Sequence, residues 1–179
     1  YDAWNRAACV WDPTGAVTQF SYDSSGLRVS ARRFYQTAAP GTIPAASGAD
    51  LVSRWVYDGA GREIYRSDAA GDVFGTVYDG AGRVVCETRY ATQVIGDTPD
   101  KVIAMPGVDT VTRHVYDSAG NRIYDVDLIG TLPASGQKPM AAVVKYGYDA
   151  FGNLTSSTAY SRAIDTTGMG PAITAADIT

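Results

Sequence analysis

The six residues Tyr57-Asp58-Gly59-Ala60-Gly61-Arg62 return as Tyr78-Asp79-Gly80-Ala81-Gly82-Arg83, twenty-one positions later. A Tyr-Asp pair with glycine three residues on stands at Tyr22-Asp23 (Gly26), Tyr57-Asp58 (Gly61), Tyr78-Asp79 (Gly82), Tyr116-Asp117 (Gly120) and Tyr148-Asp149 (Gly152). Tyr1-Asp2 has Asn5 at that place, the residue that best tolerates a left-handed backbone after glycine. A second set keeps the glycine without the tyrosine: Asp12 with Gly15, Asp68 with Gly71, and Asp127 with Gly130. Successive aspartates lie 10 then 11 residues apart (Asp2, Asp12, Asp23; Asp58, Asp68, Asp79), and 10 again from Asp117 to Asp127. Repetition on a fixed ruler restricts the fold strongly, because each copy is one unit that buries its apolar face only against its neighbours.

Asp-x-x-Gly has a physical meaning. Aspartate at the first position of a type I turn caps the next amides with its carboxylate, and glycine at the fourth takes the positive φ that leads into a bulged hairpin. A turn every 10 or 11 residues leaves about six or seven residues per strand. The spacing therefore predicts an all-β chain, an antiparallel meander of repeated hairpins with about 10–12 strands. Turns in a meander alternate between the two ends of the strands, so every Tyr-Asp turn falls at one end. The Tyr, Asp and Gly of the five full motifs, from Tyr22 to Gly152, are the expected structural turns. Longer stretches at 36–50, 91–109 and 131–139 all fall between one Tyr-Asp hairpin and the next, and none interrupts the motif. One end is thus expected to be constant and the other variable, over a repeat segment spanning 1–160. Residues 161–179 carry no strand pattern and read as a non-repeating, poorly ordered tail.

Composition agrees with a folded β chain. Apolar residues make up 45% and charged residues 19% of the 179, enough to bury a core, and the 19 glycines and 12 tyrosines favour turns and pleated surfaces over helix. A net charge of −4 argues against a nucleic-acid partner. No apolar run approaches the roughly 20 residues of a membrane-spanning helix. The chain opens inside a motif, at Tyr1-Asp2, which reads as an excerpt or a processed fragment.

Columns align when residues are counted from each aspartate. Three before it stand Phe20, Trp55, Thr76, His114 and Tyr146, an aromatic row expected along one face. Six after it lie Ala8, Val29, Ile64, Val85, Ile123 and Thr155, mostly apolar or β-branched. Four after it, Arg6, Arg62 and Arg83 leave the turn, replaced elsewhere by Leu27, Asn121 and Asn153. The arginines read as stacking over the preceding tyrosine and pairing with acids on neighbouring strands.

Chemistry-bearing residues are sparse. His114 is the sole histidine, so any histidine-dependent nucleophile must use it, yet its place in the aromatic row reads as a ring filling a sheet face. Cys9 and Cys86 share a column but sit three hairpin units apart, about 29 Å at the usual strand spacing. A disulfide needs Cα atoms within about 7 Å, so both thiols are expected free. Each turn offers one aspartate, whereas calcium needs several converging oxygens. No phosphate loop or zinc spacing is present. Asn153-Leu154-Thr155 is a formal glycosylation sequon at the exit of a turn. No catalytic residue, cofactor or metal site is assigned.

Tyr-Asp-x-x-Gly-Arg at this spacing, six copies in register over residues 1 to about 160, resembles the YD repeats of Rhs proteins and insecticidal toxin complexes and, more distantly, those of teneurins. The resemblance implies a β-strip that spirals into a hollow shell holding a toxin, of which 179 residues supply only a piece of wall. Trp11-Asp12-Pro13-Thr14-Gly15 matches part of that family's self-cleaving Asp-Pro-x-Gly segment but falls on the ordinary turn ruler. The resemblance further implies a non-enzymatic, secreted or cell-surface bacterial shell segment. Its partners would be the remaining repeats of the shell, or a second copy through the open sheet edges, and an enclosed cargo. The competing reading is an adhesive or ligand-binding surface of teneurin-like or wall-associated type. The loops are rich in Ala, Pro, Gly and Thr rather than in Trp and Tyr, which favours the shell.

Overall fold

A computed structural model describes residues 1–128, 140–163 and 173–178. Among them run eleven strands: β1 (Cys9–Trp11), β2 (Val17–Tyr22), β3 (Arg28–Arg33), β4 (Leu51–Tyr57), β5 (Glu63–Ser67), β6 (Val73–Tyr78), β7 (Val84–Arg89), β8 (Thr110–Tyr116), β9 (Arg122–Leu128), β10 (Met140–Tyr148) and β11 (Leu154–Ala163). Their order in the sheet is their order in the chain, and each described pairing is antiparallel. The fold is the expected all-β meander, open at β1 and β11. Tyr-Asp turns join β2 to β3, β4 to β5, β6 to β7, β8 to β9 and β10 to β11, so all five lie at one end of the strands.

The chain divides into two compact units, Tyr1–Val73 with Gln93–Val102 and Phe74–Thr92 with Ile103–Thr179. In the first unit, Val17 is fully buried after the Asp12–Gly15 turn, and Val73 after the Asp68–Gly71 turn. A 3-10 turn at Pro99–Lys101 packs against β4 and β5 and buries Pro99. The second unit holds a core of Val115, Tyr124, Val126, Ala141, Val143, Ile173 and Ile178. Its strands supply that core by alternation, every second residue facing one side.

One expectation is corrected. Asp127 is a strand residue, not the first residue of a turn: it pairs with Thr112 and Ala142 and accepts the Thr112 hydroxyl at 2.6 Å. With a ladder on both sides and Val126 buried beside it, this stretch cannot bend. Its expected partner Gly130 and the insertion at 131–139 lie outside the described residues. The boundary at 160 is passed by β11, which runs to Ala163 opposite Met140. Within the tail, Ile173 and Ile178 are 8% and 2% exposed. Their apolar side chains cover the face of β8–β10, which would otherwise meet water.

Candidate functional site

The Tyr-Asp turns share one geometry. At Asp58 the amide of Gly61 donates to the Asp58 carbonyl at 2.9 Å, and the Asp58 amide donates to the Arg62 carbonyl at 2.9 Å. Oδ1 of Asp58 accepts from the amides of Ala60 and Arg62, and Oδ2 from the Arg62 guanidinium. Gly61 has φ +79°, and the register slips by one residue between Val56 and Tyr57, a bulge. The same closing bonds recur at Asp23, Asp79, Asp117 and Asp149, with φ between +81° and +91° at Gly26, Gly82, Gly120 and Gly152. Asn5 takes the position at φ +60°. The Arg62 and Arg83 amides hold the Asp58 and Asp79 carboxyls below their ordinary range; the side chains of Asn121 and Asn153 do so for Asp117 and Asp149.

The tyrosine has a separate task. Between consecutive hairpins the backbone ladder stops short of the Tyr-Asp end, at Cys9–Gln19, Ser30–Arg54, Cys86–Arg113 and Tyr124–Lys145. Beyond that point the bulge turns the strands apart and leaves a carbonyl unpaired. The next hairpin's tyrosine reaches it: Tyr22 donates to Ala7, Tyr57 to Arg28, Tyr116 to Val84 and Tyr148 to Arg122, at 2.8–2.9 Å. Every acceptor lies five residues after the preceding turn's aspartate. The phenol thus replaces a ladder bond that the bulge forbids. Burial holds the Tyr116 and Tyr57 hydroxyls above their ordinary titration range, so they remain donors.

Arginine joins the two parts, in a direction opposite to the one expected. Arg6 and Arg83 pair with Asp2 and Asp79 of their own turns at 2.7 Å. Each stacks over the next hairpin's tyrosine, Arg6 on Tyr22 at 4.3 Å and Arg83 on Tyr116 at 4.6 Å. Position four after the aspartate lies beneath the next hairpin in the sheet, not the previous one. Among the described residues, the side chains of Asn121 and Asn153 bond only to their own aspartate. A further Tyr-Asp pair, Tyr124-Asp125, has Leu128 three residues on and lies within β9. A Tyr-Asp pair alone therefore does not make the turn.

The aromatic row changes character along the chain. In the first unit Arg28 lies over Phe20 and Trp55, at 5.5 and 4.7 Å. In the second unit the row becomes a hydrogen-bonded line: Glu87, His114, Asp125, Tyr146. His114 Nδ1 is 2.6 Å from Asp125, its Nε2 is 3.0 Å from Glu87, and the Tyr146 hydroxyl donates to Asp125 at 2.7 Å. That bond from Tyr146, then its burial, push the phenol above its ordinary value. His114 is 5% exposed, and both ring nitrogens face carboxylates rather than a serine, threonine or cysteine. This histidine ties β8 to β9 through Asp125 and to β7 through Glu87. Cys9 and Cys86 are free thiols, and burial pushes the Cys86 thiol's pKa up. No cluster of three metal-ligating side chains exists among the described residues.

Two residues carry more than their letters suggest. Asp50, the residue before β4, accepts from the amides of Ser47 and Tyr35, the Ser47 hydroxyl and Arg32 Nη1. Its carboxyl is held well below the usual range, first by the Ser47 amide and then by that of Tyr35. Asp109, the residue before β8, accepts from the amides of Ala91 and Met105. Each closes a long loop by binding the amide two residues past the preceding strand. Both loops also donate to the glycine carbonyl of a tight turn, Ala38 to Gly15 and Val94 to Gly71, at 2.9 Å. The signal is present in the letters as Gly48-Ala49-Asp50 and Gly107-Val108-Asp109, each directly before a strand.

No protein-family model and no curated protein matches this sequence. Among solved structures, the fold is similar to the holotoxin pore of the Photorhabdus luminescens Tc toxin, in a form with a mutated TccC3, at 16% identity and TM-score 0.51. That match covers 91% of this chain and 9% of the other. The crystal structure of TcdB2-TccC3-TEV matches with the same identity, score and coverage. At such identity the likeness is one of fold, and the chain spans about a tenth of the length of those it resembles.

Proposed function

We propose that this chain is a structural, non-enzymatic segment of a YD-repeat shell of the Rhs and toxin-complex type, a length of wall that encloses a cargo. The observation that carries the reading is the link that recurs at four Tyr-Asp turns, from Tyr22, Tyr57, Tyr116 and Tyr148 to a carbonyl of the hairpin before each. A unit whose recurring chemistry is spent on holding the next copy is a building element rather than a reaction centre. Fold likeness to Tc toxin components over 91% of the chain supports the same reading. So does His114, whose two nitrogens are both engaged by carboxylates. In the polypeptide carrying this stretch, further repeats would continue the ladders of β1 and β11, or a second copy would pair there. The assembly would act outside a bacterial producer. No helix among the described residues is long and apolar enough to cross a membrane.

Protease protection tests this. In the polypeptide that carries this stretch, the enclosed region should resist digestion until the wall is opened by denaturant. Digestion of every other region at the same rate as exposed loops would overturn encapsulation. An adhesive surface has one observation in its favour: Trp4 and Phe151, at turn tips, are 76% and 92% exposed. Under that reading Trp4→Ala and Phe151→Ala would abolish cell binding; under the shell reading they are silent.

A further inference from the structure

In the first compact unit a cleft of about 250 Å³ opens at the variable end of the sheet, lined by Arg32 and Arg54 of β3 and β4, Asp50, the Asp68–Gly71 turn and Ile95. Its walls are fixed. Asp50 is saturated by four hydrogen bonds, one of them from Arg32 at 2.8 Å. Gly71 carries the crossing strap, since a side chain there would meet Ile95 and the Val94 carbonyl at 3.1 and 3.2 Å.

Two charges in this cleft are left over. Arg54 has no carboxylate or aromatic partner among the described residues, although Asp50 and Asp68 line the same space. Asp68 uses Oδ1 for the amides of Ala70 and Asp72, and its Oδ2 binds nothing among the described residues. In five other turns Oδ2 is taken by the residue four places on, Arg6, Arg62, Arg83, Asn121 or Asn153, whereas at Asp12 and Asp23, followed there by Ala16 and Leu27, only Oδ1 is engaged among the described residues. Here that residue is Asp72, which is an acid and cannot serve. Opposite Arg54 in register, Ser67 is 3% exposed and its hydroxyl has no partner. A guanidinium, a half-used carboxylate and a buried hydroxyl thus share one corner of the sheet, with the acid and base not joined to each other.

We propose that this cleft binds a small zwitterion of amino-acid size, its carboxylate on Arg54 and its ammonium on Asp68. A lone anion would satisfy Arg54 but face Asp50 and Asp68; a lone cation would leave Arg54 unpaired. Only a ligand carrying both charges completes both groups, and within a cleft each contact is stronger than at an open surface.

Titration calorimetry on the 179-residue chain tests it, with glycine, β-alanine, γ-aminobutyrate and δ-aminovalerate as probes and butyrate and butylammonium as single-charge controls. One chain length should bind at least about tenfold tighter than either control. Arg54→Gln and Asp68→Asn should each reduce it to the control level. Asparagine still accepts from both turn amides, so an unchanged melting temperature for Asp68→Asn separates lost binding from lost folding. Equal affinity for zwitterions and controls, or tight binding that survives both substitutions, overturns the site. Neither outcome bears on the shell reading, which rests on the Tyr-Asp end.

Discussion

The hydroxyl of Tyr116 lies 2.8 Å from the carbonyl oxygen of Val84, joining β8 to the first residue of β7 where the backbone ladder between them has already ended. A side chain here does what a main-chain amide does elsewhere in the sheet. Tyr116→Phe keeps the ring and its contact with Arg83 and removes only the donor. It should cost about 1 kcal/mol in urea denaturation, the worth of one hydrogen bond to a part-buried carbonyl. Tyr35→Phe, on a residue 75% exposed, should cost nothing. Equal midpoints for the two variants would contradict the role given to the hydroxyl.

Gly61 sits at φ +79°, whereas Gly59 has no such demand and open space around it. Gly61→Val should destabilise by roughly 1–3 kcal/mol, because a β-branched residue resists that backbone. Gly59→Ala should be near neutral. Matching thermal shifts would refute the turn assignment.

The turn carboxyls of Asp58, Asp79, Asp117 and Asp149 titrate below the ordinary 3.8 in the fold. Their unfolded forms bind protons first, so the stabilisation is complete above that value and is lost as the pH falls through the depressed ones. Acid titration should therefore show a melting temperature that drops below about pH 4. Asp58→Asn with Asp79→Asn should lower the melting temperature at pH 7 and flatten that limb, because the stabilisation removed is the part otherwise lost in acid. An unaltered acid limb would show that these caps do not govern it.

Asp50 and Asp109 hold the ends of loops whose middles are exposed. Limited proteolysis should cut first within 36–47 or 93–105, and faster after Asp50→Ala or Asp109→Ala respectively. The Tyr78–Arg83 turn should stay intact throughout. Early cutting in that turn would reverse the assignment of the ordered end.

What can be read from the letters is what local chemistry writes there. Aspartate caps and a glycine at positive φ act within five residues, so turns, strand number and the meander are all legible. The tyrosine's partner is not, because its acceptor is a backbone carbonyl in the previous hairpin and a carbonyl has no letter. Direction along the sheet is equally silent, which is why Arg83 reads as lying on the preceding tyrosine and lies on the next one. Asp127 misleads because spacing alone suggests a turn: the ruler matches, yet ladders on both sides keep it in a strand. The closing role of Asp50 and Asp109 depends on amides 15 and 18 residues away, brought close only by the β3–β4 and β7–β8 pairings.

Electron microscopy of the polypeptide that carries this stretch bears most directly on the proposed role as wall. The expected image is a closed, hollow particle whose surface is one spiralling sheet, with β1 and β11 each hydrogen-bonded to a further strand. An extended rod or stalk, with both strands left as free edges and no enclosed space, would contradict it.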